Sequence, residues 1–279
     1  MYGGGQMLAL FSVSEVDTVR HIRVERPREW EEAHLYVIAD THIEDKNHDA
    51  ELMRKTLQTI KDDEHALVII NGDLLNTALR NSVSDIYGER MTLGEAIDYV
   101  SKMLEPIKDR IVAGTIGNHE YRAFKETSID VMKVIFANLG IADRYMCEGG
   151  VVYIRFGQNG KHTHGRKHPP KIYYSIYVTH GGRGGGGASS TANALARMSS
   201  VCDADIYIHS HTHTPLVYRS GYYRLDPYNC SSTFVDRLYV NTAAMLDFGG
   251  YGQMKEYTPA SKRTPCIVLN GRLKDAYTK

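Results

Sequence analysis

The sequence has no surplus of charge: 33 Lys and Arg stand against 33 Asp and Glu in 279 residues. That balance does not signal a strongly basic nucleic-acid binder, although it leaves room for a local basic patch. No apolar run approaches the roughly 20 residues of a membrane span. Met7–Phe11 is too short, and has no basic segment before it, to read as a secretion signal. Paired cysteines are missing as well. Cys147, Cys202, Cys230 and Cys266 lie far apart with no C-x-x-C among them, which argues for free thiols in a reducing compartment. No P-loop lysine follows the glycine run Gly181–Gly187, so that run does not form a nucleoside-triphosphate loop. These absences lead us to expect a soluble, cytoplasmic chain of a length suited to one large domain or two small ones.

Periodicity divides the chain into an early alternation and a strand-rich end. Apolar runs at His34–Ala39, Ala66–Ile70 and Ile111–Ile116 read as buried strands. Between and after them, Asp49–Lys61, Leu93–Leu104 and Ser128–Leu139 have helical spacing, the last with Gly140 as its stop. Val151–Phe156 and Ile172–Thr179 read as strands around a polar insert, Gly157–Pro170, expected to be a long hairpin loop. Thr191–Ser200 reads as a helix and Asp205–Ile208 as the strand after it. From Leu216 onward we expect short strands and turns. Residues 1–30 are read as an N-terminal strand or hairpin extension, Met7–Val13 and Thr18–Val24, packed on a single domain of residues 31–279. The β-α-β-α opening followed by strands predicts an α/β fold with two facing sheets and helices outside.

Five motifs fall mostly just after those strand-like runs. They are Asp40-Thr41-His42, Gly72-Asp73, Gly117-Asn118-His119-Glu120, His180-Gly181 and His211-Thr212-His213. Active groups in α/β sheets gather where strands end, so the five converge on one rim. They bring carboxylates, an amide oxygen and imidazoles together, a donor inventory that suits two metal ions activating water against a phosphate ester. A single His or Asp here would be an ordinary packed or capping residue; five such coincidences in order are not. His211 and His213, two apart, would point the same way in an extended segment.

In these residues the chain resembles the calcineurin-like metallophosphoesterase superfamily, whose pattern is D-x-H, G-D, G-N-H-[E/D], a lone His, then G-H-x-H. The resemblance covers roughly residues 34–215 and implies a four-layer α/β/β/α sandwich of two mixed β-sheets. It further implies one metal held by Asp40, His42, Asp73 and His213, and a second held by Asp73, Asn118, His180 and His211. Asp73 would bridge, a bridging hydroxide would attack, and His119 would protonate the leaving oxygen. Manganese is the favoured ion; iron, zinc or magnesium also suit the donors. Small stand-alone phage and bacterial members suggest a phosphodiesterase acting on a nucleotide or nucleic acid, in the host cytoplasm if the gene is phage-borne. Alternatives are a phosphomonoesterase, a non-catalytic metal-bound binding module, or a subunit of a nuclease complex. Three departures stand out. Ser210 replaces the glycine of G-H-x-H, His209 opens a second register for the paired histidines, and Ile43-Glu44 lacks the glycine common after D-x-H.

Weaker signals surround the motifs. Arg122 and Arg183 are candidates to reach an anionic substrate, with a surface or structural ion pair as the plainer reading. Tyr121 is the best candidate among 19 tyrosines for a substrate wall. Lys161–Lys171 could touch nucleic acid or an acidic partner, against the plainer reading of a solvated loop. Gly181–Gly187 could approach a phosphate through its backbone N–H groups, against that of a flexible loop.

Overall fold

The computed structural model describes residues 11–14, 19–27, 29–79, 88–157, 172–182, 187–249 and 258–279. In chain order the elements are β1 (Phe11–Ser14), β2 (Arg20–Arg26), β3 (Glu32–Ile38), α1 (Ala50–Asp62), β4 (Ala66–Asn71), α2 (Leu93–Leu104), β5 (Ile111–Thr115), α3 (Asn118–Thr127), α4 (Val131–Asn138), β6 (Gly149–Phe156), β7 (Ile172–Thr179), α5 (Ala188–Met198), β8 (Ile206–His209), β9 (Leu216–Asp226), β10 (Ser231–Asn241), β11 (Ile267–Asn270) and β12 (Ala276–Thr278).

β4 and β5 are buried at every position, the signature of strands covered on both faces. With β3 they form the parallel part of a five-stranded sheet ordered β12-β11-β3-β4-β5, in which β5 is one edge strand and β11 pairs antiparallel with both β3 and β12 toward the other edge. The second sheet has seven strands, ordered β1-β2-β6-β7-β8-β10-β9. Its β2–β6, β7–β8 and β8–β10 pairs are parallel and the rest antiparallel. Inward residues of both sheets, such as Leu35, Leu67, Val112, Ile154, Ile176, Ile206 and Val240, fill the space between them. On the far side of the smaller sheet, Met53, Ile60, Val100 and Phe136 bury the apolar faces of α1, α2 and α4. On the far side of the larger one, Leu195 and Met198 of α5 pack on Tyr207 and Tyr239. The result is the expected α/β/β/α order of layers.

Local signals set the helix ends. Asp49 caps α1 by accepting from Leu52 N at 2.9 Å, and Thr92 with Glu95 closes a capping box on α2. The helix expected from Ser128 starts later, at Val131 behind the cap Asp130, because residues 118–127 form their own helix, α3, which stops at a left-handed Ser128 (φ 58°). α3 has too polar a sequence to show a clear apolar stripe. The C-terminal third differs more. Instead of short strands alone, β9 and β10 pair over 11 residues each in one long hairpin. Its distal part exposes Tyr223, Leu225, Tyr228 and Phe234, so no buried alternation marks it in sequence. Near the N-terminus, β1 pairs antiparallel with β2, and β2 runs parallel to β6. The insert Lys161–Lys171 lies outside the described residues. Among those described, no helix is long and apolar enough to cross a membrane.

Candidate metal centre

The strands stop and the backbone turns left-handed at the motifs. Asp40 (φ 50°), His42 (45°), Asp73 (50°), Thr77 (43°), His211 (68°) and His213 (54°) all have positive φ, a conformation uncommon for residues other than glycine and often concentrated at functional sites. Beyond the ends of β3 and β4 the two loops stay joined: Thr41 N donates to Asp73 O at 2.8 Å and Ile43 N to Leu74 O at 2.9 Å. Gly72 (φ 75°) makes the turn before Asp73, and a Cβ there would stand 2.5 Å from Gly117 N. Gly117 is equally constrained, since its Cβ would meet the Asp73 carboxylate at 2.1 Å. The two glycines of Gly72-Asp73 and Gly117-Asn118 therefore pack on each other, and that contact brings the motifs together.

Three overlapping groups of donor atoms result: Asp40, His42 and His213; His42, Asp73 and His119; and Asp73, His180 and His211. His180 Nε2 lies 3.2 Å from Asp73 Oδ2 and 3.2 Å from Asn118 Oδ1. His211 Nδ1 lies 2.6 Å from Asn118 Oδ1. His213 Nε2 is 3.2 Å from Asp40 Oδ1 and 3.4 Å from His42 Nε2. The last two histidines do not share a direction as an extended segment would give them. Each sits in its own left-handed turn, and one faces Asn118 while the other faces Asp40. His209 is placed differently: it is buried, its Nδ1 meets Asn241 Oδ1 at 2.7 Å, and its ring lies over Gly181.

These residues fit divalent cations. His42 Nδ1 is buried without a hydrogen-bond partner, a costly state for a polar atom inside a protein, and buried Asp40 Oδ1 meets the His213 imidazole at 3.2 Å. The His180 Nδ1–H donates to Asn71 O at 2.6 Å, which turns Nε2 toward the carboxylates, where it could hold a metal. Electrostatics agree. Burial opposes charge on His180, but Asp73 and Asp40 override it and hold the imidazolium up to about 10. Burial likewise opposes charge on His213, and Asp40 raises it. Burial also works against the carboxylates, yet His213 keeps Asp40 low and His180 keeps Asp73 well below the usual range. Burial drives His42 well below its ordinary value and lowers His211. The imidazolium–carboxylate pairs compensate charge that bound cations would otherwise supply.

His119 stands beside this cluster. Its ring centroid is 4.4 Å from that of His42, and Nε2 is 3.9 Å from Asp73 Oδ2. Nδ1 faces Asn76 O at 2.8 Å. Arg122 contacts the same nitrogen and donates to Asn76 O at 3.3 Å. Burial lowers the imidazole pKa, Asp73 opposes the shift and Arg122 adds to it. Tyr121 is exposed on α3, its ring stacked on Phe124 and approached by the Lys125 ammonium. Arg183 lies outside the described residues.

Two buried carboxylates support these turns, and neither belongs to the donor groups. Glu120 is fully buried and accepts from three main-chain N–H groups: Asp73 at 2.9 Å, Gly117 at 3.0 Å and Leu75 at 3.0 Å. Burial and the nearby Asp73 charge push its carboxyl up to about 8. The acidic fourth residue of G-N-H-[E/D] was the available signal. Glu44 does the same for the next turn, accepting from Asn76 N at 2.6 Å; burial raises its pKa.

Comparison with known proteins accords with this geometry. Residues 33–215 match the family described as calcineurin-like phosphoesterase, and the chain belongs to that family. It is a metal-dependent phosphoesterase with clustered His and Asp metal-binding groups. No curated protein matches it. Among solved structures, it is similar to a conserved uncharacterized protein from Streptococcus pneumoniae TIGR4, a predicted phosphoesterase, at 12% identity over 89% of this chain and 98% of that one, TM-score 0.36. It is also similar to a metallophosphoesterase from Sphaerobacter thermophilus at 13% identity over 88% and 86%, TM-score 0.38. A third similar structure is the nuclease MPE of Pseudomonas putida, at 13% identity over 88% and 87%, TM-score 0.35.

Proposed function

We propose that the protein is a phosphodiesterase acting on a nucleotide or nucleic acid, with two divalent cations held at this centre. The observation that carries the reading is the run of three overlapping donor groups, Asp40-His42-His213, His42-Asp73-His119 and Asp73-His180-His211, in which His42 and Asp73 are each shared. Asp40, His42, Asp73 and His213 would hold one cation, and Asp73, Asn118, His180 and His211 the other. When bound, the cations supply an acidified water and positive charge for the phosphoryl oxygens. Manganese is the ion to test first, because the donors mix oxygen and nitrogen. The chain's own residues do the rest. His119 Nδ1 is tied to Asn76 O, which leaves Nε2 as the atom that gives a proton to the leaving oxygen. Residues 31–279 act as one catalytic domain, and 1–30 add β1 and β2 to its larger sheet.

A diester is favoured over a monoester by the cations around His119. Among the described side chains, one guanidinium, Arg122, stands beside the ring, donating to the same Asn76 O at 3.3 Å. A doubly charged terminal phosphate would call for a larger clamp. The test compares bis(4-nitrophenyl) phosphate with 4-nitrophenyl phosphate on manganese-loaded protein. We expect the diester to be preferred; clear preference for the monoester overturns the assignment. His119→Ala should keep its manganese and lower kcat by about 10²–10⁴-fold. Unchanged turnover would reject His119 as the acid.

A further inference from the structure

The two sheets contribute different parts of the donor cluster. Asp40, His42, Asp73 and Asn118 follow strands of the smaller sheet, and His180, His211 and His213 follow strands of the larger. A buried line of polar side chains crosses between them. Thr115 Oγ1 donates to Asn71 Oδ1 at 2.8 Å, and Asn71 Nδ2 donates to Ser210 Oγ at 2.7 Å. The Ser210 and Thr242 hydroxyls lie 2.8 Å apart, and Thr242 Oγ1 reaches Asp40 Oδ2 at 3.4 Å. A hydroxyl carries one hydrogen. With Thr242 donating to Asp40, the Ser210 hydroxyl supplies the bond between the two. Thr115, Asn71, Ser210 and Thr242 are all fully buried.

The same residues grip His180 from both sides. Asn71 O takes its Nδ1–H, and Ser210 N donates to His180 O at 3.0 Å. Ser210 is also the position where the family pattern has glycine, which has no hydroxyl to offer. We propose that Ser210, joined to Asn71 on one side and Thr242 on the other, is a positioning residue that holds the two halves of the donor cluster in register. It touches neither the cations nor the substrate; it acts through Asp40 and His180.

This rests on the metal-centre reading above, so the primary readout is metal affinity rather than turnover. Manganese binding to the metal-free full chain is measured by calorimetry for wild type, Ser210→Ala, Thr242→Val, Thr242→Ser and the double variant Ser210→Ala/Thr242→Val. Loss of such supporting hydrogen bonds typically weakens metal binding by about 10–100-fold. We expect a loss near the lower bound for Ser210→Ala and Thr242→Val, none for Thr242→Ser, and no further loss in the double variant. In hydrolysis of bis(4-nitrophenyl) phosphate at saturating manganese, kcat should fall and KM hold. Wild-type affinity in a folded Ser210→Ala or in Thr242→Val, or equal losses in Thr242→Ser and Thr242→Val, would overturn the proposal. The Thr242 pair decides the matter even if Ser210→Ala fails to fold. Wild-type protein that binds manganese but leaves the diester intact would sink the diesterase reading alone, because the affinity comparison still stands.

Discussion

Glu120 is a buried carboxylate that accepts from three main-chain N–H groups, those of Asp73, Leu75 and Gly117. Its partners are donors only, so Gln at this position would turn an NH₂ group toward at least one N–H. Glu120→Gln should therefore cost about 1–3 kcal/mol of stability, the typical cost of a buried unsatisfied group, and weaken manganese binding by loosening the Asp73 turn. Chemical denaturation and calorimetry check both effects; a variant with wild-type stability and affinity would show that the three bonds are dispensable. The His180–Asp73 pair makes a second prediction at this scale. His180 is protonated at neutral pH without metal because its pKa is raised to about 10, and a ligand imidazole must be neutral. Manganese binding at pH 7 should then release protons, seen as a dependence of the calorimetric heat on buffer ionisation enthalpy. Heats independent of buffer would contradict the pairing.

At the scale of elements, the turn after β4 and the turn before α3 depend on each other. Gly72→Ala places a Cβ 2.5 Å from Gly117 N at a residue whose φ is 75°. We expect a loss of at least about 2 kcal/mol, combining left-handed strain with the backbone clash, measured by denaturant midpoint; a midpoint equal to wild type would mean that the glycine contact is not needed. This contact also explains what could be read from the chain. β4 and β5 are legible because Ala66–Ile70 and Ile111–Ala113 are unbroken apolar runs, and Leu93–Leu104 because Ala96, Val100 and Leu104 keep helical spacing. α3 was not, because its residues serve the site before they serve a core: Asn118 and His119 face the donors, and Glu120 faces main-chain amides. The β9–β10 hairpin looks in sequence like short strands because much of it is exposed and pairs with itself. The motif residues could be found by their order; the directions of His211 and His213 could not, because left-handed turns, not strand alternation, set them.

For the molecule as a whole, the metal-free protein carries charges arranged for ions. His180 is raised from 6.5 to about 10. It favours the fold in its protonated form, so its stabilisation is complete below the ordinary value and is lost as the pH rises through the raised one. Between pH 6.5 and 9 the metal-free thermal midpoint should fall, while manganese affinity rises as the competing proton leaves. A metal-free midpoint that is flat or climbs across that window would contradict the charge arrangement. The donor cluster also joins the two sheets at one rim, so bound metal should raise the thermal midpoint in proportion to its affinity.

The most direct measurement titrates metal-free protein with manganese while following hydrolysis of bis(4-nitrophenyl) phosphate. A two-cation centre predicts no turnover without metal and a rise that levels off at about two equivalents. Turnover in the metal-free protein, or none with manganese at saturation, would contradict it.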